Sequence, residues 1–283
     1  MTGKYVFTLS EKDGEYAAQY LNETEKSRED GLRQIRKWLN EEKAHLNARL
    51  EDKYILPFLR GCKFNLEKTK VKMTNYYTMK KNRPEWFQDR NPELPEIQDL
   101  VKLGVFFPLK MRHENKLVVI AKAAAHDPKK YTLDDVCKAG KMILDVAALD
   151  DERVQIYGVA AVFDLKGLSF SHMLQVTPSI MKHIVHAWQN DHCKVKQLEF
   201  INTPFHVMVL LNLLKSFISD KLKGRVRVHY RGSDTLYDAV DRAILPPEYG
   251  GYGKDIETLV GYWNEKLLSR QKWFEEDEQY KAE

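Results

Sequence analysis

With 283 residues, 43% hydrophobic and 30% charged, the chain is too apolar for disorder and long enough for two structural units. A net charge of +4 excludes a polycation, and three scattered cysteines (Cys62, Cys137, Cys193) argue against a disulfide framework or a cysteine-based zinc site. The longest strongly apolar stretch, Phe205 to Leu214, is shorter than the ~20 residues a bilayer-spanning helix needs, and the opening residues lack the apolar stretch of a secretory signal, so a cytoplasmic protein is expected.

In chain order, the first ~90 residues read as helical. Leu32, Ile35 and Leu39 recur at helical spacing with charges between them, and Leu66 to Lys80 reads as a second helix. Three prolines, Pro84, Pro92 and Pro95, break the pattern between Asn82 and Pro95, which reads as a linker. Strands and helices then alternate. Leu117 to Ala123 is a candidate strand. Thr132 to Leu149 is a helix opened by a capping box of Thr132 and Asp135. Ile156 to Leu165 reads as a buried strand. Thr177-Pro178 starts a helix, Gln197 to Ile201 is a strand, Thr203-Pro204 repeats the helix-start device, and Arg225 to His229 is a further strand. From Asp255 onward the chain reads as one amphipathic helix carrying Leu259, Trp263 and Leu267. The alternation predicts an α/β sheet covered by helices, preceded by a small all-α domain. The expected boundaries are 1–92, 93–254 and 255–283.

A search for catalytic chemistry returns little. Gly250-Gly251-Tyr252-Gly253 follows Leu245-Pro246-Pro247 rather than a strand, so it reads as a turn and not a phosphate loop. Gly167-Leu168-Ser169-Phe170-Ser171 misses the nucleophile elbow. His183 and His186 share a helix face without a third ligand nearby and read as packing or surface histidines. Asp150, Asp151 and Glu152 read as a solvated acidic turn. No enzyme, metal or cofactor is expected.

Two features do point to function. Pro204 to Phe217 is apolar in nearly every helical direction and must be covered on most sides, either as a core helix or as a lid over a bound lipid. From Lys194 to Arg231 the chain carries eight Lys/Arg against two acids, either a solvated face or a field for anionic headgroups. Hydrophobic insertion beside basic contacts is the two-part recipe for reversible membrane binding.

Several separated motifs carry a resemblance. They are Phe163-Asp164-Leu165-Lys166-Gly167, Phe170-Ser171-His172, Gln175-Val176-Thr177-Pro178-Ser179, Phe200-Ile201-Asn202-Thr203-Pro204 and Leu245-Pro246-Pro247-Glu248-Tyr249-Gly250-Gly251. Upstream, Tyr54 to Arg60, Lys63-Phe64 and Asn75-Tyr76-Tyr77 add to it. In this order they resemble the CRAL-TRIO lipid-binding family, and the likeness is strongest to its tocopherol-carrying members. The resemblance implies an α/β/α sandwich whose sheet floors an apolar cavity under a mobile gate helix. It implies a monomeric intracellular carrier, peripheral at membranes, that binds one hydrophobic lipid and phosphoinositides and no nucleic acid. α-Tocopherol is the first ligand implied, with a retinoid or phospholipid, or a regulatory lipid-binding role, as alternatives. The implied ligand contacts are Val159, Ala161, Phe163, Ile184, Ala187, Trp188, Leu198, Val207, Leu210, Leu211 and Leu214. The implied phosphoinositide contacts are Lys194, Lys196, Lys221 and Arg225. Cys62 stands where the family's headgroup cleft has an arginine, for which Arg60 or Lys63 could compensate. Cys137, Gly140 and Leu144 stand where the pocket has a phenylalanine and serines, and Leu168 where it has a tryptophan.

Overall fold

The computed structural model describes residues 5–6, 9–230 and 232–283, with the backbone alone at 232–234. Arg231 of the basic stretch and most of the opening residues lie outside that description.

The N-terminal region is helical: α1 (Glu11–Tyr16), α2 (Glu25–Glu41), α3 (Asp52–Gly61), α4 (Leu66–Asn82), α5 (Pro84–Phe87) and α6 (Pro95–Lys102). Thr24 and Ser27 form a capping box that starts α2, whose buried face is Leu32, Ile35, Trp38 and Leu39. That face joins Ile55, Leu56, Phe58 and Leu59 of α3 and Met73, Tyr76 and Tyr77 of α4 in one core. The segment read as a linker is instead packed. Trp86 and Phe87 of α5 are buried, α5 lies against the long helix Leu133–Asp150, and Arg90 is 1% exposed. Two of its three prolines, Pro84 and Pro95, start short helices at their first position, where a missing N–H costs nothing.

The sheet order is β1 (Phe106–His113), β2 (Lys116–Lys122), β3 (Val159–Asp164), β4 (Val195–Ile201), β5 (Val226–Val228). β1 and β2 form an antiparallel hairpin, and β2 to β5 are parallel. α7 (Leu133–Asp150) and α8 (Arg153–Tyr157) connect β2 to β3. α9 (Phe170–Gln175) and α10 (Pro178–Asn190) connect β3 to β4. α11 (Met208–Phe217) and α12 (Asp220–Lys223) connect β4 to β5. The Thr132–Asp135 capping box and the Thr177 cap with Pro178 at the first position both form as the sequence predicts.

Three expectations fail locally. Ile156 and Tyr157 end α8 rather than opening a strand; Gly158, at φ +82°, then turns the chain into β3. Thr203 does not cap a helix. Its hydroxyl turns back to Phe200 O, and a single 3-10 turn, Phe205–Val207, precedes α11. The C-terminal helix is two helices, α13 (Ile256–Leu268) and α14 (Gln271–Asp277), with Leu259, Trp263 and Leu267 buried. α13 covers β1, where Trp263 Nε1 donates to Pro108 O at 2.7 Å.

The acidic turn is partly exposed, as read, but its carboxylates are also ion-paired. Asp150 pairs with Lys266 and Arg270, Asp151 with Arg112 and Arg153, and Glu152 with Arg60.

Candidate functional site: an apolar cavity beside a basic cleft

Strand alternation aims Val119 and Ala121 of β2, Val159, Ala161 and Phe163 of β3, and Phe200 of β4 into a cavity of about 300 Å³, and a register shift between β3 and β4 lets Val195 reach it too. That lies at the small end of ligand cavities. Its walls are α7 (Val136, Cys137, Gly140, Leu144), α10 (Met181, Ile184, Ala187, Trp188) and the lid segment (Val207, Leu210, Leu211, Leu214). Phe163 stacks on Phe200 at 5.1 Å between centroids and meets Trp188 at 5.4 Å.

Ten of the eleven ligand contacts implied by the sequence therefore lie on one cavity wall or another. Leu198 does not. It is fully buried in the core between Ala161 and Val226, its neighbours on β3 and β5. Cys137, Gly140 and Leu144 do line the cavity, and Gly140 leaves room that the Phe106 ring fills, 3.3 Å from where a Cβ would sit. Trp86 and Phe87, from the segment read as a linker, close one side.

Two of the charged groups on the cavity wall, Lys141 and Asp191, are already engaged. Lys141 lies 2.9 Å from Asp191 and also pairs with Asp145. The donor atoms of Asp191, His192 and Cys193 lie within 4.8 Å of one another, but that ammonium already occupies the carboxylate. Burial pushes the Cys137 thiol up to about 12, so it stays protonated and a poor nucleophile.

The lid has two unlike faces. Val207, Leu211 and Leu214 are buried inward, while Phe205 is 93% exposed and Val209 61% exposed. Neighbouring α9 exposes Phe170 and Leu174. His206 Nε2 donates to Leu168 O at 3.2 Å, which fastens the start of the lid to the turn before α9. No side-chain cap holds the first turn of α11.

Between α4, the end of α10 and α12 opens a cleft of about 540 Å³ lined by Lys63, Lys68, Lys72, Lys194, Lys221 and Arg225, with Glu67 as its acid. Glu67 is itself paired with Lys70. Burial first, then repulsion from Lys196, Lys221 and Arg225, pushes the Lys194 ammonium down to about 7. Burial and Arg225 also lower Lys196, which stands beside the cleft without lining it. Arg60 does not compensate for Cys62: it is wholly buried against Glu23 and Glu152. Lys63 does line the cleft, with Lys68 and Lys72 of α4, which the sequence reading missed. Their i, i+4 spacing on one helix face was the available signal. Trp188 and Val195 line both the cavity and the cleft.

A mixed, mostly parallel sheet that floors an apolar chamber under a half-exposed lid, with a cationic cleft sharing its wall, defines a protein built to enclose a hydrophobic molecule. Comparison with known proteins gives the family. The model described as the CRAL/TRIO domain matches residues 102–251, and one described as a Pinta-like UBA domain matches 24–97. The chain belongs to the CRAL/TRIO family of lipid-binding and lipid-transfer proteins. Curated relatives include the human alpha-tocopherol transfer protein-like protein (Homo sapiens), 26% identical across 94% of this chain and 77% of that one. Clavesin-2 of Rattus norvegicus is 24% identical across 97% and 83%. The crystal structure of Sfh5 superposes with a TM-score of 0.49 and 14% identity, covering 89% of this chain and 99% of that one. Among the described residues, no helix is long and apolar enough to cross a membrane.

Proposed function

We propose that this chain carries one hydrophobic ligand in the cavity and exchanges it at anionic, phosphoinositide-containing membranes, acting as a carrier and not as an enzyme. One observation supports this above the others: the helix that roofs the cavity presents bare apolar side chains outward, beside a cleft of six cations. Moving a lipid from water into the cavity gains about 25 cal/mol per Å² of apolar area. Opening the lid in water forfeits that gain. At a bilayer, Phe205 and Val209 find an apolar medium while Lys194, Lys221 and Arg225, with Lys196 beside them, meet headgroups, so the barrier to exchange falls.

α-Tocopherol is the first ligand to test, since relatives named alpha-tocopherol transfer protein-like are 26% identical across 94% of this chain. Ile184, Ala187, Trp188, Val207, Leu210, Leu211 and Leu214 would contact it from the helices, and Val159, Ala161 and Phe163 from the sheet. A phospholipid is the second reading. It is favoured by the wall shared through Trp188 and Val195, which brings a headgroup site next to a chain site.

The test is mass spectrometry of organic extracts of the purified protein, followed by competition against labelled α-tocopherol. Saturable binding of one tocopherol per chain that retinoids and phospholipids fail to displace supports the first reading. An extracted phospholipid with no tocopherol binding replaces it with the second. Charge reversal at Lys221 and Arg225 is expected to slow transfer to anionic vesicles about tenfold or more and to leave ligand affinity unchanged. Unaltered transfer rates would refute the role given to the cleft.

A further inference from the structure

One end of the apolar cavity is polar. His126, His172 and Gln175 all line it, on the 123–131 loop and on α9. Their hydrogen bonds fix which nitrogen of each ring carries the proton. The Gln175 amide Nε2 donates to Pro128 O and to Tyr131 O, both at 2.9 Å. Its Oε1 therefore faces His126 Nε2, at 3.3 Å, and an amide oxygen only accepts. Nε2 of His126 must carry the hydrogen. Burial favours the neutral ring, so Nδ1 holds a bare lone pair.

His172 cannot supply the missing proton. Its Nε2 donates to His126 O at 3.0 Å, and its Nδ1 takes the Ser169 hydroxyl at 2.7 Å. The two imidazoles meet edge to face, 4.9 Å between centroids, which holds the His126 ring in place. His126 is 4% exposed, and its Nδ1 is buried with no hydrogen-bond partner among the described residues. A buried acceptor without a donor costs the fold stability unless something supplies one.

We propose that the ligand supplies it: the cavity takes a lipid bearing one neutral hydroxyl, an alcohol or a phenol, which donates to His126 Nδ1. The inference rests on the cavity being a lipid site, and adds the polar group that lipid must carry and the end of the chamber where it lies. An ether, ester, aldehyde or carboxylate presents only oxygen lone pairs to Nδ1 and is disfavoured.

The test compares matched ligands on the full-length protein. A twenty-carbon isoprenoid alcohol, its methyl ether and its aldehyde are titrated against intrinsic tryptophan fluorescence, to which Trp86 and Trp188 of the cavity contribute, or by displacement of a fluorescent fatty alcohol. The alcohol is expected to bind about tenfold tighter than either analogue, the discrimination one lost hydrogen bond to a buried group gives. His126→Phe is expected to erase that preference while retaining affinity for the ether. Equal binding of all three to the unaltered protein overturns the proposal and leaves the carrier reading standing. No binding of any of the three also overturns the proposal, and the extraction experiment then decides the carrier reading by itself. The ligand comparison stands even where the variant fails to fold. In addition, the Nδ1 resonance of His126 in ¹⁵N spectra is expected to shift on adding the alcohol and to stay put on adding the ether.

Discussion

Arg60 shows how a single buried charge is made tolerable and removed from function at once. Its guanidinium grips both carboxylate oxygens of Glu23 at 2.7 Å and reaches Glu152 at 2.5 Å. Burial opposes its charge, but Glu23 and Glu152 outweigh that and hold its pKa above the usual arginine value. Arg60→Met leaves buried Glu23 with Arg28, at 3.2 Å, as its partner and is expected to lower stability by about 3 kcal/mol in urea unfolding, the lower end for a broken buried pair. Vesicle affinity, measured below the unfolding transition, is expected to stay the same; a parallel loss would return Arg60 to the headgroup site. Lys194 is the opposite case, a cation the fold leaves underpaired. An anion in the cleft reverses the burial and repulsion that lower its pKa, so binding takes up a proton. Affinity for phosphatidylserine vesicles is therefore expected to fall as pH rises from about 6 to about 8, and Lys194→Met to flatten the profile. A phosphodiester lipid is the right probe, because phosphate monoesters titrate in the same range. A pH-independent affinity in the unaltered protein would refute the assignment.

At the scale of elements, what the sequence discloses depends on whether one short-range rule decides. Thr132 with Asp135, and Thr177 with Pro178, are local devices that work wherever they stand, so both helix starts were legible. The first strand was not. Its register slips between Pro108 and Arg112, and its hairpin turns through Glu114 and Asn115, both at positive φ without a glycine to announce them. Ile156-Tyr157 extends an apolar run, and such a run does not separate strand from helix by periodicity. Gly158 decides instead: a Cβ there would lie 2.4 Å from Lys194 O. Gly158→Ala is expected to cost more than about 2 kcal/mol, readable as a drop in thermal midpoint, since it adds strain at positive φ to a clash with backbone. The cavity was legible where period-two alternation aims Val159, Ala161 and Phe163 to one side. Leu198 shares that side but is covered by its neighbours, which alternation alone does not reveal. The lid's exposed face yields its own prediction. Phe205→Asp with Val209→Asp changes surface positions, so the thermal midpoint is expected to move little, while vesicle binding drops at least about tenfold. Full retention of binding would exclude this face from membrane contact.

Across the whole molecule, the C-terminal helix ties together parts far apart in sequence. Asp277 of α14 accepts from Lys80 at 2.7 Å, Arg90 at 2.6 Å and Arg49 at 3.2 Å. The chain then runs on, with Ala282 N donating to Tyr77 O and Glu283 N to His45 O. Burial raises the Asp277 pKa, yet Lys80 and Arg90 prevail and hold it far below an ordinary carboxylate. Its pairing therefore stabilises the fold above the unfolded-state value near about 4 and is lost as pH falls below it. Asp277→Asn is expected to lower stability at neutral pH and to leave less of it to lose on acidification, as followed by far-UV circular dichroism. At the same scale, Trp188 and Val195 face the chamber with one side and the cationic cleft with the other. A partition with two tenants cannot adjust for one without being felt by the other. Whatever factor a loaded chamber applies to the grip on an anionic headgroup, an occupied cleft must apply the same factor to the grip on the cargo. Membrane composition would then set not only where the protein docks but whether it arrives to collect or to deliver.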